Sequence, residues 1–163
     1  VSRCSRLENL MTSSTAKSLV QLIGMKITQC EMMTEIVIKE EKEGFDEIVF
    51  SKLKSLQLMY LSNLKSFCSC KEGLAFKFPS IEKLILRDCF KMEYFCKNIT
   101  CIPKLRKVYV VEEEGEVWPK NTQEEGKKWY WEDDLNTTVK KIFEDMVFFQ
   151  YTEELRLFQH PKS

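Results

Sequence analysis

Three stretches of this chain place apolar residues at the same seven relative positions. They are Leu19, Leu22, Met25, Ile27, Cys30, Met33 and Ile36; then Phe50, Leu53, Leu56, Leu58, Leu61, Leu64 and Phe67; then Phe78, Ile81, Leu84, Leu86, Cys89, Met92 and Phe95. The gaps run 3, 3, 2, 3, 3, 3 in each. A helix returns its inward side about every 3.6 residues and a strand every second residue, so neither alone makes this pattern. The step of two puts Leu56 and Leu58 on one side of a short strand, with Gln57 on the other. Each step of three turns the chain and sends one more side chain inward. One such coil cannot bury its own apolar edge, but stacked coils share a continuous core.

The register continues in part at both ends. Val1, Cys4, Leu7 and Leu10 match its last four positions, and Ile102, Leu105, Val108 and Val110 its first four, before Glu113 falls where an apolar residue belongs. Counting from Val1 through Ile27, Leu58, Leu86 and Val110 gives units of 26, 31, 28 and 24 residues. This is the leucine-rich repeat signature. It predicts an α/β-type repeat fold, a horseshoe-shaped solenoid with short parallel strands on one side and loops or short turns on the other. Cys4, Cys30 and Cys89 occupy the slot where Asn or Cys is usual, and Leu61 fills it in the second full unit. Cys30 and Cys89 are expected to be buried, reduced core thiols.

The repeats span 1–111. Within them, Lys39–Glu47 reads as a charged, solvated loop that lengthens the 31-residue unit. From 112 to 135 an acidic, Trp-rich insertion follows, in which Trp129-Tyr130-Trp131 alternates like a degenerate repeat strand. An amphipathic helix of about three turns is expected within 136–150, capped by Asn136 or Thr137, with Val139, Ile142, Phe143, Met146, Val147 and Phe149 at helical spacing. Leu155-Arg156-Leu157, in 151–163, has the two-residue step of the strand of a further, truncated repeat.

The chain carries 25 Lys and Arg against 25 Asp and Glu, which argues against a whole-domain grip on nucleic acid. It has no run of 18 apolar residues to span a membrane, and its start, Val1-Ser2-Arg3-Cys4, lacks a signal-peptide core. Seven cysteines, an odd number, favour reduced thiols in the cytoplasm over a disulfide framework. Phosphate-cradling glycine loops are missing. The single histidine, His160, sits beside Pro161 near the end, a poor position for a catalytic dyad. Cys68-Ser69-Cys70 and Cys96…Cys101 lack the spacing of zinc knuckles. The expectation is a non-enzyme without cofactor or metal.

The connecting segments carry a family likeness. Leu7–Leu19 (LENLMTSSTAKSL), Glu47–Leu53 (EIVFSKL), Phe76–Glu82 (FKFPSIE) and Pro103–Val108 (PKLRKV) resemble the C-terminal leucine-rich repeats of plant coiled-coil, nucleotide-binding disease resistance proteins, and Trp129–Thr138 (WYWEDDLNTT) resembles the insertion between repeat blocks in the same receptors. The resemblance implies a recognition module. Such a module senses a pathogen effector or a guarded host protein and restrains the nucleotide switch of its parent receptor. Its expected partners are therefore the effector or guarded protein and the receptor's own nucleotide-binding domain. A general interaction scaffold outside immunity is the alternative. The chain holds neither a nucleotide-binding domain nor a coiled-coil region, so it reads as a fragment or truncated product. Both ends fall inside repeat units, and apolar edges near Val1 and Leu157 are expected to make the isolated chain self-associate.

In a horseshoe the strand residues pointing away from the core line the concave surface. Here they are Lys26 and Thr28, Gln57 and Met59, Ile85 and Arg87, and Tyr109 and Val111. Lys26, Gln57, Met59, Arg87 and Tyr109 are the expected partner-binding set, because Tyr and Arg so often dominate protein interfaces. Trp118, Trp129 and Trp131 are the alternative contacts.

Overall fold

A computed structural model describes residues 1–41, 44–111 and 128–159. In chain order it contains β1 (Met11–Thr12), α1 (Ser13–Ser18), β2 (Gly24–Thr28), β3 (Val37–Ile38), β4 (Asp46–Val49), β5 (Ser55–Met59), β6 (Leu74–Lys77), β7 (Lys83–Arg87), β8 (Ile99–Cys101), β9 (Val108–Val110), β10 (Lys128–Tyr130) and α2 (Leu135–Gln159). It is a parallel-strand solenoid of about four turns. The strands containing the step of two stack side by side in one sheet, ordered β10-β9-β7-β5-β2, and β2, β5, β7 and β9 pair in parallel. The start of the chain adds an edge to β2: Arg3 N–H donates to the Thr28 carbonyl at 3.1 Å and Thr28 N–H to that of Val1 at 3.0 Å.

The repeated register is the core. All seven positions of the second full unit are 0% exposed, and those of the third lie between 0 and 3%. Homologous rings stack from coil to coil: Phe50 on Phe78 at 5.4 Å between centroids, and Phe67 on Phe95 at 4.9 Å. Each such pair adds about 0.5–1.5 kcal/mol beyond its area burial. The first unit is less complete, with Leu19 and Leu22 half-buried and Met25 at 8%.

The far side is more regular than loops. β4, β6 and β8 form a second parallel sheet, and β1 pairs with β3. The stretch expected to be a charged loop therefore already enters β4 at Asp46. That residue forms an ion pair with Lys17 of α1. Ile48, Leu74 and Phe76 explain the extra sheet: inward-pointing apolar residues outside the seven-position register, all buried.

A backbone feature recurs with the coils. Arg3, Gln29, Tyr60 and Asp88 all have φ between 50 and 56°. Their separations, 26, 31 and 28, equal the repeat lengths (29 − 3, 60 − 29, 88 − 60). Each sits just past the end of its strand and just before the Cys or Leu slot, where the chain must turn sharply to leave the sheet. Left-handed geometry costs a non-glycine residue roughly 1–2 kcal/mol, so the stacked core on both sides of the turn must hold it in place.

The C-terminal part departs from the sequence expectation in three ways. β10 pairs with β9 antiparallel, so Trp129 and Tyr130 lie in a returning strand and not in a degenerate repeat strand. α2 covers 25 residues, and the strand expected at Leu155–Leu157 lies inside it. The stretch Glu153-Glu154-Leu155-Arg156 is rich in helix formers. The first residue that stops a helix is Pro161. The cap is Asp134, whose carboxylate accepts from Thr137 N–H at 2.8 Å and from its hydroxyl at 2.6 Å. Leu135, Val139 and Ile142 are buried against the solenoid. Val147, Phe148, Tyr151 and Leu155 are 41–70% exposed farther along. Among the described residues no helix is long and apolar enough to cross a membrane.

The concave sheet as candidate interface

Register turns the outward-pointing strand residues into rows. Lys26 pairs with Gln57, Gln57 with Ile85, Ile85 with Tyr109, and Tyr109 with Trp129, which makes one straight line across all five strands. A second line runs Thr28, Met59, Arg87. Strands lie about 4.8 Å apart, so five of them span about 19 Å.

Exposure along these rows is uneven. Lys26 is open to solvent and Trp129 is 45% exposed, while Thr28, Gln57, Met59 and Tyr109 are half-buried. Ile85, at 1%, and Val111, at 4%, are buried, so they do not form the open surface that strand alternation implied. Arg87 is also not a free hook. It is only 7% exposed, and its guanidinium carbon sits 4.9 Å from the centroid of the Tyr60 ring. Tyr60 is the left-handed turn residue of the preceding coil, so the turn itself delivers the ring to the arginine.

The tryptophans separate. Trp129 completes the central row, and Lys107 Nζ lies 4.8 Å from its ring centroid. Trp131 packs against the core, with Arg106 at 5.8 Å from its ring. Trp118 lies outside the described residues. The alternation in Trp129-Tyr130-Trp131 announced a strand, but it carried no information about direction or register. The Arg87–Tyr60 stack had no sequence signal at all, since the two residues are 27 apart (87 − 60) and belong to different coils.

The thiols behind this face are structural. Cys4, Cys30 and Cys89 each donate to the carbonyl two residues earlier, on Ser2, Thr28 and Arg87, at 3.5–3.6 Å. Cys89 also reaches the Leu58 carbonyl of the neighbouring coil at 3.4 Å. Burial pushes the Cys89 thiol up to about 12. Elsewhere the displaced groups mark a cap and ion pairs. The Thr137 hydroxyl and helix-start N–H groups hold Asp134 below the ordinary carboxylate value. Burial pushes the Asp145 carboxyl upward, but Lys141 and the Tyr130 hydroxyl together outweigh it and bring it below that value. No three His, Cys, Asp or Glu side chains among the described residues form a group able to hold a metal ion.

The asparagine expected to cap α2 has another task. Asn136 Oδ1 accepts from Phe95 N–H at 2.9 Å and Cys96 N–H at 3.0 Å, and its amide donates to the Cys96 carbonyl at 2.6 Å. One side chain thus clamps the first turn of α2 to the third full repeat.

No curated protein and no solved structure matches the chain. A family model does, over residues 1–110, described as plant disease resistance protein RPS2-like, leucine-rich repeats. With the repeat register buried as its core and the strands stacked in parallel, the chain belongs to the leucine-rich repeats of RPS2-like plant disease resistance proteins.

Proposed function

We propose that this repeat region recognises a protein inside the plant cell, a pathogen effector or a guarded host protein, through its concave sheet. In its parent receptor it would also restrain the nucleotide switch by contact with the nucleotide-binding domain. Family membership supports a protein-interaction role without catalysis. The observation that carries the finer reading is the row Lys26–Gln57–Ile85–Tyr109–Trp129, which ends in an exposed cation on one side and an exposed indole on the other.

Within that row Lys26, Gln57 and Tyr109 would make direct contact, with Met59 beside them. Arg87 would act as a buried support that holds Tyr60 at the rim. A sheet of five strands of three to five residues covers about 300 Å², below the about 800 Å² that each partner of a standard interface contributes. A partner would therefore also touch the turns just past the strands, where Gln29, Tyr60 and Asp88 sit.

The test is affinity capture from plant cytosol with three baits: the intact chain, Lys26→Glu with Tyr109→Ala, and Lys71→Glu on the opposite side as a control. A protein held by the intact and control baits and lost from the double variant is the expected result. Equal capture by all three well-folded baits contradicts the concave assignment and favours a general scaffold.

A further inference from the structure

Cys68 and Cys96 face one another on neighbouring coils. Their backbones meet in an isolated parallel bridge and each residue is 1% exposed. Neither belongs to the seven-position register, which ends one residue earlier at Phe67 and Phe95. The equivalent position in the first full unit is Val37, which is 0% exposed (37 + 31 = 68; 68 + 28 = 96). A column that one coil fills with valine therefore carries cysteine in the next two, in register. Facing residues of adjacent strands are about 4.8 Å apart, inside the roughly 4.4–6.8 Å between Cα atoms that a disulfide spans.

We propose that Cys68 and Cys96 are an oxidation site, at which hydrogen peroxide converts two buried thiols into a disulfide that ties the second full repeat to the third. The thiolate of Cys96 attacks one peroxide oxygen and breaks the O–O bond. Cys96 becomes a sulfenic acid, and the departing oxygen leaves as water with the proton that Cys96 lost. Cys68 then gives up its proton and attacks the Cys96 sulfur. The hydroxyl is expelled and leaves with that proton as a second water. Two thiols and one peroxide give one disulfide and two waters, with both sulfurs oxidised and both peroxide oxygens reduced.

The pairing of the two residues across the bridge orders these roles. The neighbouring Cys68 thiol favours the charged form of Cys96 and brings its pKa below the usual thiol value against the opposing effect of burial. The Cys96 neighbour, with burial, raises Cys68, so the resolving thiol stays protonated until its turn. Ser69, next to Cys68, is exposed while both thiols are buried, so peroxide reaches the pair through a local opening of this edge. The half-buried Cys70, whose thiol donates to the Glu72 carbonyl at 2.9 Å, is the competing thiol. The bond would form directly beneath Asn136, which holds the Cys96 backbone, so it would stiffen the seat of α2.

The test treats the intact chain with hydrogen peroxide, alkylates the remaining thiols, digests with trypsin and maps the peptides by mass. The expected product joins the peptides Ser66–Lys71 and Met92–Lys97 and is lighter than their sum by two hydrogens. It persists in Cys70→Ala, is lost in Cys68→Ala, and raises the melting temperature of the folded chain by about 5–10 °C in a way that reductant reverses. A Cys96 peptide recovered fully alkylated after peroxide overturns the proposal. So does a cross-link that survives Cys68→Ala and disappears in Cys70→Ala.

Discussion

The repeat body and the C-terminal annex of β10 and α2 are held by different kinds of interaction. In the body inward positions are supported from one coil away: Phe67 by its equivalent Phe95, Leu58 by its equivalent Leu86, and Cys89 by the carbonyl of Leu58. In the annex the contacts are single and unrepeated, among them the antiparallel pairing of β10 with β9, the Asn136 clamp, the Asp134 cap, the Tyr130 hydroxyl donating to Asp145 at 3.0 Å, and three buried aliphatic residues. Periodic support spreads the loss of one residue over its neighbours but makes the whole stack cooperative. Single contacts localise the loss.

The largest effect is expected inside the body. Phe67→Ala leaves a cavity among four rings and should cost about 3–5 kcal/mol, lowering the melting of every coil together when followed by circular dichroism. Asn136→Ala leaves the Phe95 and Cys96 amides without their partner and should cost about 1–3 kcal/mol. Hydrogen exchange should then speed up across 135–146 while β5 and β7 stay protected. Faster exchange throughout the body would mean that the annex is part of one cooperative unit.

Asp134→Ala should cost about 1 kcal/mol through the lost cap. The sign of its pH dependence follows from its depressed pKa. The carboxylate stabilises the folded chain above the unfolded value of 3.8, and that contribution fades as pH falls through the still lower folded value. Acid titration of helicity should show this loss in the intact chain and lack it in Asp134→Ala. The smallest effect concerns the recurring turn. Asp88→Gly removes a left-handed non-glycine residue and should raise stability by no more than about 1 kcal/mol, the relief being partly offset by glycine's greater freedom when unfolded. Asp88→Val should lower it.

This contrast also explains what could be read from the sequence. The solenoid, its strand positions and its core were legible because three copies of one register repeat the same physical requirement. Cys30 and Cys89 were legible as buried for the same reason. The left-handed turns were not, because Arg3, Gln29, Tyr60 and Asp88 share no side-chain chemistry and only their backbone angle recurs. The second sheet was missed because its inward residues, such as Ile48 and Phe76, stand outside the register. On the candidate interface, alternation gave the correct strand side for Lys26, Gln57, Met59 and Tyr109. It said nothing of the tertiary contacts that bury Ile85 and Arg87. Trp129 joined the row only through an antiparallel pairing that no repeat announces.

The measurement that bears most directly on recognition by the concave sheet is hydrogen exchange on the chain, with and without a captured protein partner. Slower exchange confined to β2, β5, β7, β9, β10 and the turns at Gln29, Tyr60 and Asp88, with β4, β6 and β8 unchanged, is the predicted result. Protection concentrated in β4, β6 and β8, with the concave strands unaffected, would contradict it.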